Sequence, residues 1–133
     1  MSANLDLVRS IFAPWERGDY SSAEWAHPEI ECVSVDGPEP GTWTGLEGMA
    51  VAIRTFLSAW QDAHQDLEEL REIDGERILA LYRWTARGKA SGLETGQIHA
   101  TAANLFHIHG GKVTTLVVYL DRERALADLG LKE

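Results

Sequence analysis

Two stretches of this chain hold side chains able to do chemistry. In "ANLFHIHGGKV", Ala103 to Val113, Asn104 precedes a His-x-His pair, His107 and His109. In "ILALYRWTARG", Ile78 to Gly88, Tyr82 and Trp84 stand two apart. An amide can orient a carbonyl or a water, or stabilise an oxyanion, but it cannot remove a proton alone. A tyrosine hydroxyl can serve as acid or hydrogen-bond donor. Two histidines on one strand face begin a metal site, yet no third ligand stands nearby, so no metal is assigned.

Both stretches read as strands, in which residues two apart share a face. Asn104 then sides with Ala100, Ala102, Phe106 and Ile108, against Gln97, His99, Thr101, Leu105 and His107. The first set is the less polar, and its alanines leave room for a ligand. Asn104 therefore faces the interior, and the histidines face solvent or a second copy. Tyr82 and Trp84 face inward with Ile78, Ala80 and Ala86. Asn104 and Tyr82 are the candidate catalytic pair. Five tryptophans are many for 133 residues, and a wide apolar pocket is one use for them. Trp15, Trp25, Trp60, Trp84 and Phe106 are candidate walls. Glu31 points away from Ile30, toward solvent; only if turned inward would it be a carboxylate base.

These residues need elements to hold them. Leu5, Val8, Phe12 and Trp15 recur at helical spacing, which predicts a helix over 4–17, capped by Asn4 and broken near Pro14. "SSAEWA", 21–26, reads as a short second helix ended by His27-Pro28. Glu29 to Val35 reads as a strand, with Ile30, Cys32 and Ser34 on one face. "DGPEPGTWTG" holds three glycines and two prolines in ten residues and reads as loop. A third helix runs from about Leu46 to about Asp62 on a stripe of Met49, Ile53, Phe56, Leu57 and Trp60. Strands follow over 64–73, 78–88, 97–108 and 113–120, with turns at "DGER", "KASG" and "HGGK". Asp121 caps a last helix that Gly130 ends, and Arg122 to Arg124 form a solvated face. Val113, Thr115, Val117 and Tyr119 share the outer face of the last strand and suit a homodimer contact. Helices followed by an antiparallel meander make an α+β domain, one domain over 1–133, whose curved sheet encloses a pocket.

Composition narrows the function classes. The chain carries 21 acidic and 12 basic residues, a net charge of −9. No Lys/Arg cluster offers a nucleic-acid surface. A single cysteine, Cys32, forms no internal disulfide. No signal peptide and no apolar run long enough for a membrane span is visible, so a soluble cytoplasmic protein is expected.

"WERGDY" (15–20), "HPEIEC" (27–32), "TGLEGMAVAI" (44–53), "ARGKASG" (86–92), "HGGKV" (109–113) and "YLDRERALADLGL" (119–131) resemble, in order and spacing, the SnoaL-like branch of the nuclear transport factor 2-like superfamily. The resemblance implies a cone-shaped α+β barrel, often dimeric through its outer sheet face. It does not imply one reaction, since ketosteroid isomerase, scytalone dehydratase and limonene epoxide hydrolase share the cone. The isomerase's basic aspartate matches Ser34 and its oxyanion tyrosine matches Ile11, so steroid isomerisation is not expected; Ser34 remains a candidate ligand contact. The catalytic aspartate of the polyketide cyclases matches Asn104. The resemblance thus implies a small-molecule pocket protein without cofactor. It would be an isomerase, cyclase or dehydratase acting on a hydrophobic carbonyl or polyketide-like compound. The alternative is a non-catalytic ligand-binding or dimeric scaffold protein.

Overall fold

A computed structural model describes residues 3–36, 40–58, 60–88 and 97–131. The elements run α1 (Ala3–Trp15), β1 (Ala26–Ser34), β2 (Gly41–Thr44), α2 (Gly45–Ser58), β3 (Trp60–Glu72), β4 (Arg77–Gly88), β5 (Gln97–His109), β6 (Lys112–Tyr119) and α3 (Arg122–Leu129). The strands form one sheet in the order β2-β1-β6-β5-β4-β3. The β1–β6 pair is parallel and the others are antiparallel. The expected α+β class holds, with a mixed rather than antiparallel sheet. Register breaks in β3–β4 and β5–β6 bend the strands, as bulges do.

Helix α1 buries Val8, Ile11, Phe12 and Trp15 against the concave face. It ends one residue after Pro14, whose carbonyl accepts from the N–H groups of Arg17 and Asp19. Asn4 is not its cap: the Asn4 amide donates to the Gly75 carbonyl, 3.1 Å away. No helix forms over 21–26. The Asp19 carboxylate takes the N–H and hydroxyl of Ser21 at 3.0 and 2.6 Å. That local turn competes with a helix too short to nucleate. Strand β1 starts earlier than expected and includes Pro28. Its ladder with β6 is irregular between Ala26 and Glu31, so the missing proline N–H removes no bond there.

The glycine-rich segment hides β2, which pairs with β1. Helix α2 crosses β2 closely: a Cβ on Gly48 would sit 3.1 Å from the Trp43 backbone. The helix stops at Ser58, whose hydroxyl bonds the Thr55 carbonyl at 2.7 Å. Trp60 therefore begins β3 rather than extending the helical stripe. The expected "KASG" turn lies outside the described residues. Gly110 and Gly111 make the β5–β6 turn with φ of 60° and 79°, which only glycine adopts freely.

The two sheet faces differ from expectation on the outside. Leu79, Leu81, Ala103, Leu105 and Tyr119 are buried there under Ala125 and Leu126 of α3. The Leu105 face is thus covered by the chain itself. A bulge between His107 and Ile108 shifts the β6 register and turns Val113 into the inner core. The four-residue homodimer surface is not continuous: Val113 faces inward and Tyr119 lies under α3. Asp121 caps α3 through the Glu123 N–H, and Gly130 ends it at φ 69°. Arg122 is not solvated. Its guanidinium donates to the carbonyls of Tyr82 (2.8 Å) and Ala102 (3.3 Å) and pairs with Glu68 at 2.6 Å.

Candidate functional site

The inner face encloses a cavity of about 240 Å³ between the sheet and α2. Its floor comes from β4 and β5. Tyr82 pairs with Ala102, and Asn104 pairs with Ala80, so both side chains project inward on neighbouring strands. The Tyr82 hydroxyl donates to Asn104 Oδ1 at 3.0 Å. Tyr82 is 1% exposed and Asn104 2%, and Asn104 is the buried polar residue of the described core. Phe12 of α1 holds the Tyr82 ring at 5.4 Å. Alanines opposite Tyr82 and Trp84, at Ala102 and Ala100, make room for those rings rather than for a ligand.

Burial pushes the Tyr82 phenol well above its usual range. Tyr20 and Asp36 add to the shift, and Arg122 opposes it. Tyr82 therefore keeps its proton and acts as a donor. With Oδ1 occupied, the Asn104 amide offers its N–H donors to the cavity.

Aromatic rings form the walls. Trp15 and Trp25 meet edge to face at 5.9 Å, and Phe56 and Trp84 do so at 5.7 Å. Trp43 completes the rim from β2. Of α2, only Met49 is fully buried; Ile53 and Phe56 are half-buried because their stripe faces the cavity. Ser34 lines the cavity and gives its hydroxyl hydrogen to the Asp36 carbonyl at 3.0 Å. Burial pushes the Cys32 thiol up to about 11, so it is not a nucleophile near neutrality. Among the described residues no Asp, Glu, Lys, Arg or His lines the cavity.

The structure thus brings together Asn104, Tyr82, Trp15, Trp25, Ser34 and Trp84 of the residues singled out in the sequence. Phe106 is buried but stands behind the wall, 6.1 Å from Phe12. The Trp60 side chain lies outside the described residues. Glu31 is exposed, as its parity predicts. His107 and His109 stand outside the cavity; His109 is exposed and meets Glu76 at 2.9 Å. Burial and Arg77 lower the His107 pKa. Among the described residues no three potential ligands cluster to hold a metal.

Sequence reasoning missed Tyr20, Trp43 and Gln65, which also line the cavity. Trp43 carried a signal, since Thr-Trp-Thr alternates as a strand. Gln65 shares strand parity with Leu67, which packs against the inner core.

The family model of the SnoaL-like domain matches residues 8–116. No curated protein matches the chain. Solved structures share the fold, three of them as follows. One is an NTF2-like protein of unknown function from Burkholderia pseudomallei, 19% identical with TM-score 0.78, over 96% of this chain and 97% of that one. Another is TerC, co-crystallised with polyporic acid, 19% identical with TM-score 0.74, over 96% and 98%. A third is a candidate polyketide cyclase from Xanthomonas campestris pv. campestris, 15% identical with TM-score 0.69, over 96% of each chain. At these identities the likeness establishes the NTF2-like cone and nothing about reaction. No helix among the described residues is long and apolar enough to cross a membrane.

Proposed function

The chain belongs to the SnoaL-like domain family, and from that premise we propose that it binds a hydrophobic carbonyl compound, polyketide-like in class, and catalyses its isomerisation, cyclisation or dehydration without a cofactor. One observation carries this reading: a fully buried Tyr82–Asn104 hydrogen bond at the floor of an uncharged aromatic cavity. The Tyr82 hydroxyl polarises the Asn104 amide, and the amide N–H groups meet the substrate carbonyl. Negative charge that develops on that oxygen is stabilised more than in water, because the donors are buried and fixed in place. Trp15, Trp25, Trp43 and Trp84 hold the apolar body. The proton goes to a water or to the substrate itself, since the described walls offer no base. Steroid isomerisation is not part of the proposal, because Ser34 stands where the isomerase's aspartate would.

The same lack of a base in the described walls favours one other reading, a binding protein that retains the cone and performs no chemistry. The test is a panel of aromatic and polyketide-like ketones, with turnover followed by chromatography and binding by tryptophan quenching. An enzyme turns over at least one ketone and loses about 10²-fold in rate in Asn104→Ala with the fold intact. Saturable binding with no turnover of any member selects the binding protein. A cytoplasmic location completes the reading. Homodimerisation through the outer sheet face is checked by sedimentation.

A further inference from the structure

Gln65 sits on the inner face of β3, directly opposite Trp84 of β4, and lines the same cavity as Asn104. Its Oε1 is buried with no hydrogen-bond partner among the described residues. Buried polar atoms are nearly always paired, so an orphaned acceptor calls for an explanation.

The orientation of this amide follows from Tyr20. The Tyr20 hydroxyl gives its one hydrogen to the Ala63 carbonyl at 2.9 Å. Toward Gln65 it can therefore only accept, so the side of Gln65 that faces Tyr20 is the amide nitrogen. Burial pushes the Tyr20 phenol up to about 12, and Gln65 opposes that shift, as a donor does. The cavity thus has two amides of opposite polarity. At Asn104 the oxygen is taken and the donors are left for a ligand. At Gln65 the acceptor is unused.

We propose that Gln65 is a specificity residue that accepts a hydrogen bond from a ligand hydroxyl, so that the pocket selects planar hydroxy-carbonyl compounds over their deoxy analogues. This rests on Asn104 receiving the carbonyl, as argued above. The two stations lie far apart. Asn104 is level with Ala80 and Gln65 with Trp84, four residues along the sheet and two strands across. On a flat sheet their Cα atoms would be roughly 16 Å apart, and curvature and inward-reaching side chains shorten the gap. The ligand's hydroxyl and carbonyl therefore belong at opposite ends of its ring system. The terminal torsion of glutamine is broad, so a small turn presents Oε1 to the cavity.

Calorimetric titration with 2-acetylnaphthalene and 2-acetyl-6-hydroxynaphthalene tests this. Wild type binds the hydroxylated probe about tenfold tighter, the worth of one well-made hydrogen bond. In Gln65→Met and Gln65→Leu the preference for the hydroxylated probe drops below about twofold. Equal affinities in wild type, or a preference that survives both variants, each overturn the assignment and leave the carbonyl reading standing. Failure of both probes to bind wild type overturns the carbonyl reading and this inference together.

Discussion

The two faces of the β4–β6 sheet are both apolar, yet they are finished differently. On the outer face Leu79, Leu81 and Leu105 are sealed by Ala125 and Leu126, and Arg122 straps α3 to β4, β5 and the Glu68 side chain on β3. On the inner face α2 lies over the sheet with only Met49 fully buried, and a cavity of about 240 Å³ remains. The strands are the same, and side-chain alternation gives each face its own residues. The outer face spends its apolar surface on stability. The inner face keeps part of its surface available to a ligand, with one buried polar pair at the floor. Close packing is what a scaffold needs, and a vacant apolar volume is what a binding site needs.

Variants on the two faces should therefore separate stability from binding. The largest effect is expected for Leu126→Ala, which uncovers the outer cluster. It should cost about 3 kcal/mol in urea unfolding, within the usual range for a buried leucine. Affinity for 2-acetylnaphthalene should stay within about twofold. A tenfold loss of affinity at full occupancy of the fold would break the separation. Arg122→Met should cost about 2 kcal/mol, because two backbone carbonyls and Glu68 lose a charged donor. An Arg122→Met protein as stable as wild type would show that the strap does not hold α3. On the inner face, Tyr82→Phe should cost only about 1 kcal/mol and still lower any turnover sharply.

A further effect is a pH dependence from the inner wall. Burial raises the Cys32 thiol from 9.0 to about 11 and the Tyr20 phenol from 10.0 to about 12. Between those values the folded chain holds protons that the unfolded chain has released. Stability must then fall as pH rises from about 9 to about 12. Urea midpoints at intervals across that range measure it, and Cys32→Ala should remove the portion between pH 9 and 11. A midpoint that rises with pH in this window would contradict the burial of both groups.

Local pattern exposed much of this architecture. Alternation along β5 was long enough to place Asn104 inside and the histidines outside. Asp121 and Gly130 marked the ends of α3, and Gly110-Gly111 marked a hairpin. What local pattern did not carry was pairing between distant segments. The parallel β1–β6 ladder joins residues some eighty positions apart. The bulge that turned Val113 inward depends on how β5 and β6 fit the bent sheet. An amphipathic α3 was legible, but not that it would cover Leu105. Arg122 reads as solvated because a sequence does not show which carbonyls a long side chain will reach. Of the site, Tyr82 and four of the wall residues were legible from parity and aromatic character. Gln65 was not, since one amide in an acidic strand looks like surface.

The central claim is that the Tyr82–Asn104 pair polarises a carbonyl in an aromatic cavity. The most direct test is the infrared C=O stretch of ¹³C-carbonyl-labelled 2-acetylnaphthalene bound to the protein. The account predicts a band at lower wavenumber than in an apolar solvent, returning to the apolar-solvent position in Asn104→Leu. A bound ketone whose band in wild type already sits at the apolar-solvent position would contradict it.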